Sequence, residues 1–277
     1  MNECGGIQKT NVITFQTQVM LGAQFAKLKE AQAKAEEDNK LDEACRILIV
    51  ACLRVAWNDA FRHVTKNVEN LENKFKKNGE FSDINFDRYV CEEILNDDLI
   101  INTFTKYINA ETTEKKITVL CDADKDRKLA KKFRTIKIID KSEDKALCFG
   151  HFQKLFNMAV KLYICLYIMR DELGLSFMSK STKYADPNKF ANADCPVDRY
   201  ILQRLDGIIS EENITVPYEE LKKLRPDCEK FADIFWSKLK TKNDIKVYKV
   251  IQDTIKELCN SNECNLIFDF ENWKTNN

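Results

Sequence analysis

Glycine and proline are scarce in this chain, with 7 and 4 residues among 277. A turn-rich β-sandwich needs more of both, so the low counts favour helices joined by charged loops. Histidine occurs only twice, and the 11 cysteines lack the paired spacing of a zinc site or a disulfide framework. We therefore expect no metal, no cofactor and reduced cysteines, as in a cytoplasmic protein.

An excess of charge of either sign is also missing, since Lys and Arg together number 44 and Asp and Glu together number 44. A nucleic-acid partner would therefore have to contact a local basic patch. No run of 18 apolar residues occurs, and the N-terminus lacks the basic and apolar segments of a signal peptide. We expect no membrane partner.

Apolar residues at helical spacing dominate the chain and predict a mainly α fold, a multi-helix globular bundle with at most a small two-stranded β element. The strand candidates are residues 116–121 and 135–139, which are rich in β-branched side chains. Residues 122–127, between them, predict a surface turn. The bundle would consist of two helical subdomains around a cleft, formed by residues 1–140, with the β element, and 141–277.

The strongest helix patterns are residues 41–63 and 146–167, which are apolar on most sides and should form the centre of the core. His63 would cap the end of the first of these helices. We expect a polar loop at 64–85, a long connection at 170–193 and a tail that packs on the body. Further helices are predicted at 15–40, 86–107, 196–209, 216–224, 228–239 and 243–258.

Two lysines, Lys154 and Lys161, lie two turns apart on the apolar 146–167 helix. Burial disfavours the charged form of lysine, and the neutral amine is the form that attacks an electrophilic carbon. Asp198 follows Pro196, where a new helix should begin, so its carboxylate is a candidate partner for such an amine. The alternatives are that Asp198 only caps its helix and that the lysines extend their ammonium groups to water.

Gly150-x-x-x-Lys154, followed by Pro196-Val197-Asp198 at a helix start, resembles the helix-hairpin-helix DNA glycosylase superfamily, and within it the 8-oxoguanine DNA glycosylases and their archaeal relatives. The resemblance covers residues 146–205. It implies that Lys154 forms a Schiff base at the sugar C1′ and that Asp198 positions or deprotonates it. The archaeal relatives carry a second lysine one helical repeat later, matching Lys161, so either amine could be the reactive one.

This resemblance implies base excision from DNA, with or without lyase activity, on a nucleotide extruded from the duplex. An aromatic side chain would stack on the extruded base. The alternative is a non-enzymatic helical interaction or regulatory protein, whose central helix is only core. A helical nuclease ranks below both, because the sequence lacks a cluster of metal ligands. The residues expected to contact DNA are Gly150, His151, Lys180, Lys183, Arg199 and Arg204.

Overall fold

The computed structural model describes residues 25–37, 40–61, 76–77, 80–81, 90–134, 147–181, 183–259 and 264–272. Ten α-helices lie within these ranges, which confirms the mainly α fold. The helices are α1 (Phe25–Glu36), α2 (Leu41–Phe61), α3 (Asp98–Ile108), α4 (Thr113–Ala123), α5 (Lys128–Arg134), α6 (Phe149–Ile168), α7 (Arg199–Glu211), α8 (Val216–Leu224), α9 (Lys242–Leu258) and α10 (Leu266–Asn272). A two-residue antiparallel pair, β1 (Lys76–Lys77) and β2 (Glu80–Phe81), is the β element of the described part.

The core is built around α2 and α6, which pack against each other along their lengths. Most residues of α6 are buried, as expected from its apolar sequence. One hydrophobic cluster extends from Leu28 in α1 to Phe268 in α10. The two strongest helix predictions are thus confirmed as the central helices. The predicted subdomain boundary at residue 140 lies outside the described residues, so that division stays a prediction.

The predicted strand at residues 116–121 is wrong, because these residues lie inside α4. Thr112 caps this helix with its side-chain oxygen, which accepts a backbone N–H bond of 3.2 Å. Lys116 and Leu120, one turn apart, are buried on the same face. The cap and the buried face outweigh the β propensity of the intervening side chains. The second predicted strand, at 135–139, lies outside the described residues.

The acidic segment at residues 122–127 forms the expected turn, but it joins two helices rather than two strands. It includes the end of α4 and a short 3₁₀ turn at Lys125–Arg127 that leads into α5. Asp126 has a positive φ of 56° within this turn, a backbone conformation that aspartate tolerates better than most residues. The turn lies on the protein surface, as predicted.

The predicted helix at residues 228–239 is wrong, because this segment contains only two single 3₁₀ turns, Phe231–Asp233 and Trp236–Lys238. The Asp206 carboxylate of α7 accepts backbone N–H bonds of 2.9 Å from Phe231 and 2.7 Å from Ala232. These tertiary bonds hold the backbone in short turns, although the apolar residues recur at helical spacing. The segment passes over the start of α6 and forms one wall of the site described below.

The other predicted helices, the tail and the long connection are present in whole or in part among the described residues. Helices α7, α8 and α9 correspond to three predicted helices, and α10 packs on the body as expected for the tail. The predicted helix at 86–107 divides into a π-helix at Val90–Leu95 and α3. The connection at 170–193 contains 3₁₀ segments at Ser176–Lys180 and Pro187–Asn192. His63 and most of the predicted loop at 64–85 lie outside the described residues.

None of the described helices is long and apolar enough to span a membrane.

Candidate functional site

Lys154 lies near the start of α6, and only 9% of its side chain is exposed. Its Nζ is 3.4 Å from Oδ2 of Asp198 and 3.2 Å from Oδ2 of Asp59 in α2. The centre of the Trp236 ring is 5.1 Å from the same nitrogen. An amine, two carboxylates and an aromatic ring therefore converge from four different parts of the chain. We call Lys154, Asp59, Asp198 and Trp236 the lysine site.

The extended segment before α7 brings Asp198 to the amine. Gln153 holds this segment with both ends of its amide, because Nε2 donates to the Val197 carbonyl (2.9 Å) and Oε1 accepts from the Val197 N–H (3.2 Å). Asp198 then caps α7, its Oδ1 accepting the N–H of Ile201 at 3.0 Å. Pro196 disfavours helical backbone immediately before it and keeps this approach extended. Gln153 adjoins Lys154 in the chain, so the same turn of α6 fixes both groups.

Lys161, two turns further along α6, is fully buried. Its Nζ is 2.6 Å from Oδ2 of Asp269 in α10, and their side chains are 1% and 7% exposed. The Phe270 ring covers the ammonium at 4.6 Å. Burial raises the pKa of Asp269 despite the opposing effect of Lys161, and the charge of Asp198 raises it further. Of the two candidate lysines, Lys154 has the more exposed side chain, at 9% compared with 1% for Lys161.

Gly150 is required by packing against the segment at 236–239. Its N–H donates to the Leu239 carbonyl at 3.1 Å. A Cβ at this position would lie 1.8 Å from the Trp236 carbonyl oxygen, a distance that no side chain could adopt without moving the backbone. In the predicted contact with DNA, the Gly150 N–H would donate to a phosphate. This N–H already has an acceptor within the protein.

His151 stabilises the first turn of α6. Its Nδ1 accepts the N–H of Cys148 at 3.4 Å and lies 3.3 Å from the thiol sulfur. Its ring meets the Trp236 ring edge-on, with the centroids 5.7 Å apart. Burial, with a smaller effect of the nearby Lys240 charge, lowers the pKa of His151 to about 4. The imidazole is therefore neutral at pH 7, which removes the positive charge that a phosphate contact would use.

The other four residues predicted to contact DNA each have different surroundings. Lys180 and Arg199 are exposed, and Arg199 is the first residue of α7, next to Asp198. Lys183 forms an ion pair with Asp42 at the start of α2. Arg204 donates to the Asn272 side chain of α10 at 3.1 and 3.2 Å. Arg199 is thus the basic side chain placed nearest to the lysine site by sequence.

A buried polar cluster behind the lysine site holds the segment at 192–195. The Tyr248 hydroxyl donates to Asp194 at 3.0 Å and accepts from Asn157 of α6 at 2.9 Å. Tyr107 donates to the Asn157 oxygen at 2.7 Å, and Lys116 pairs with Asp194 at 3.3 Å. Burial raises the pKa of Tyr107 and of Tyr248 well above the ordinary value, so both hydroxyls stay neutral donors. Their partners are satisfied, and we interpret the cluster as structural.

Two cavities among the described residues lie away from the lysine site. One, of about 290 Å³, lies beside α1 and α2, and the other, of about 210 Å³, lies beside the start of α4. Neither is lined by a residue of the lysine site. Within the described ranges, no group of three or more His, Cys, Asp or Glu side chains is arranged to hold a metal ion. The lysine site is therefore the arrangement whose groups suit covalent chemistry best.

No protein-family model, curated protein or solved structure matches the chain. The resemblance to DNA glycosylases accordingly rests on residues 146–205 of the sequence. Its two central residues, Lys154 and Asp198, are the two that the fold brings together.

Two members of the lysine site were not predicted from the sequence. Asp59 is a single acid near the end of an apolar helix, and no local spacing relates it to Lys154. Trp236 lies in a segment whose spacing predicts an amphipathic helix, and that helix does not form. An acid near the end of a largely apolar helix is the available signal for Asp59, since such a carboxylate needs a partner once it is near the core.

Proposed function

We propose that the protein excises bases from DNA in the manner of a glycosylase, with Lys154 as the nucleophile. The observation that supports this most directly is the distance of 3.4 Å between Lys154 Nζ and Asp198 Oδ2. An ammonium cannot attack carbon, so it must first lose a proton, and the carboxylate of its ion-pair partner Asp198 is the candidate acceptor.

The proposed reaction begins when the neutral amine attacks C1′ of an extruded nucleotide. The Nζ–C1′ bond forms as the C1′–N glycosidic bond breaks, and the base leaves with the bonding electron pair and takes up a proton. Opening of the sugar ring then gives a Schiff base, which water hydrolyses or which proceeds to strand cleavage. A carboxylate beside the amine stabilises the positive charge that develops on the sugar.

DNA as the partner is part of the proposal. Lys180, Lys183, Arg199 and Arg204 are the candidate phosphate contacts, and Arg199 adjoins Asp198 at the start of α7. With equal numbers of acidic and basic side chains in the whole chain, such contacts would have to be few and local.

Borohydride trapping tests the proposal. The protein is incubated with duplexes that contain an abasic site or one of a panel of damaged bases, and reduction converts a Schiff base into a stable adduct. Lys154→Gln should abolish the adduct, and Lys222→Gln, on the exposed face of α8, should leave it unchanged. If the adduct survives Lys154→Gln and is lost in Lys161→Gln, the second lysine is the nucleophile. Absence of an adduct with every duplex would refute the proposal.

The second candidate function is that of a non-enzymatic interaction protein, and one specific observation favours it. The Gly150 N–H is bonded to the Leu239 carbonyl, and the Trp236 carbonyl occupies the space of a side chain. The glycine is thus explained by packing without any DNA. Salt-dependent DNA binding separates the two functions, because affinity that depends on phosphate contacts falls as salt rises.

A further inference from the structure

Residues 235–242 concentrate positive charge in a chain whose acidic and basic side chains are equal in number. They contain no acidic residue and three lysines, all of them exposed: Lys238, Lys240 and Lys242. We call residues 235–242 the basic segment. A nucleic-acid partner of a chain with no net charge needs a local patch of this kind. The segment contains Trp236, so it starts at the wall of the lysine site.

The packing of Leu239 directs the neighbouring lysines towards solvent. Leu239 is fully buried, and its carbonyl accepts the Gly150 N–H at 3.1 Å. Its backbone is extended, with a φ of −67° and a ψ of 102°. Side chains alternate in direction along an extended backbone, so Lys238 and Lys240 face outward on the same side.

Hydrogen bonds hold the backbone of the basic segment before any ligand binds. The Cys148 thiol donates to the Ser237 carbonyl at 3.2 Å. The Asp244 carboxylate of α9 accepts the N–H groups of Lys240 at 3.0 Å and of Thr241 at 2.8 Å. A surface that is fixed in advance loses less conformational entropy when a partner binds.

The two acids that flank the basic segment are engaged with other groups. Asp244 is buried, and its second oxygen pairs with Arg225 at 3.0 Å. Asp233, on the other side, accepts the backbone N–H groups of Glu229 and Lys230, each at 3.1 Å. The positive charge of the segment is therefore not cancelled by its neighbours in sequence.

Phe235 adds an exposed aromatic ring to these charges. It is 67% exposed, and Nζ of Lys238 lies 4.7 Å from the centre of its ring. Proteins that bind single-stranded nucleic acid combine aromatic rings, on which bases stack, with basic side chains that follow the phosphates. The basic segment brings both features together at the surface.

An anionic membrane surface would attract the same lysines, but it fits the segment less well. Proteins that lie in a membrane interface bury the apolar face of an amphipathic helix. The basic segment instead contains a three-residue turn, Trp236–Lys238, and its one large exposed apolar side chain is Phe235. A single ring provides little apolar area for insertion, whereas it is sufficient to stack on one base.

We infer that the basic segment binds a single strand of nucleic acid, with a base stacked on Phe235 and phosphates held by Lys238, Lys240 and Lys242. Because this surface adjoins the lysine site, the inference deepens the proposed function: the segment would hold the strand whose nucleotide enters the site. It rests on the proposed function for the choice of DNA, but the binding itself requires no bond to break.

Fluorescence anisotropy with the full-length protein and two labelled strands tests the inference. One strand is an oligothymidylate of about 12 nucleotides, within the usual site size, and the other has the same phosphates but abasic sugars. The wild type should bind the oligothymidylate about tenfold more tightly, because only this strand offers bases to Phe235. The slope of log affinity against log salt should be about −2, as expected for three phosphate contacts.

Two sets of variants separate the ring from the charges. Phe235→Leu should weaken binding of the oligothymidylate about tenfold and leave the salt slope and the abasic strand unchanged. Replacing Lys238, Lys240 and Lys242 together by glutamine should bring the slope close to zero for both strands. Lys222→Gln, which removes an exposed charge on α8, should change neither the affinity nor the slope.

The inference is wrong if the wild type binds neither strand at low salt, or if it binds both strands equally well. It is also wrong if the protein binds phosphatidylserine vesicles and the oligothymidylate does not displace them, because the surface would then recognise a membrane. The comparison of the two strands uses the wild type alone, so it decides the question even if a variant does not fold.

Borohydride trapping separates this inference from the proposed function. Strand binding that depends on the basic segment, together with no trapped adduct on any duplex, would leave the surface standing and reject the glycosylase. A trapped adduct that forms equally well in the triple lysine variant would support the glycosylase and reject the basic segment as its contact with DNA.

Discussion

Replacement of His151 by glutamine should make the protein more resistant to acid. Burial lowers the pKa of His151 from 6.5 to about 4. The unfolded chain therefore takes up a proton near pH 6.5 that the native protein does not accept until about pH 4. At about 1.36 kcal/mol per pKa unit, this side chain should reduce the free energy of unfolding by about 3 kcal/mol as the pH falls through that interval.

Glutamine suits this test because it preserves the capping interaction. Its side-chain oxygen can accept the Cys148 N–H as the imidazole does, and glutamine is a usual residue at this position of a helix. It does not titrate, so the pH-dependent part of the difference between the two proteins belongs to His151. The one other histidine, His63, is present in both proteins, and its titration cancels.

Urea unfolding at a series of pH values between 4 and 7 measures the effect. The stability of the His151→Gln variant relative to wild type should increase by about 3 kcal/mol from pH 7 to pH 4, whatever its starting value at pH 7. A difference that stays constant within about 0.5 kcal/mol, the usual scatter of surface substitutions, would show that the native imidazole titrates normally and that its burial has no electrostatic effect.

Two further predictions concern the packing of α6. Asp269→Asn should lower the free energy of unfolding by about 3–5 kcal/mol at pH 7, because it leaves the Lys161 ammonium buried without its counter-charge. Asp269→Leu combined with Lys161→Met should recover most of that loss in urea unfolding, and a double variant as unstable as the single one would contradict the reasoning. Gly150→Ala should lower stability by about 1–3 kcal/mol or more, because the new Cβ meets the Trp236 carbonyl. Gly207 of α7 provides the control, because a Cβ at this position would enter open space. Gly207→Ala should raise the thermal unfolding midpoint, since alanine has the higher helix propensity. Equal effects of the two substitutions on stability would refute the packing argument.

Periodicity identified the long helices because their burial follows from their own residues. The helix predicted at residues 146–167 corresponds closely to α6, because a helix that is apolar on most sides must be buried in the core. The strand predicted at residues 116–121 does not form, because the Thr112 cap and a buried helical face outweigh the β propensity of the β-branched side chains. The turns at 231–238 could not be anticipated, since Asp206, which binds their backbone, is distant in sequence.

The candidate site was predictable only for those residues that lie in a recognisable local sequence pattern. Lys154 and Asp198 each have a recognisable sequence context, an apolar helix and a residue after proline. Asp59 has none, because it reaches the amine only through the packing of α2 on α6. A contact between residues on two different helices leaves no periodic pattern in the sequence. A single sequence therefore predicts the helix on which a side chain lies, but not the side chains from other helices that it contacts.

The double hydrogen bond between Gln153 and Val197 has a mechanical consequence. Any sliding of α6 along its axis pulls the backbone ahead of α7 in the same direction, since both the donor and the acceptor of that amide are engaged. Because Gln153 adjoins Lys154 and Val197 adjoins Asp198, these two bonds couple the backbone positions of the two charged residues. Asp59 belongs to α2, which these two bonds do not include, so its position relative to Lys154 depends instead on the packing of α2 against α6.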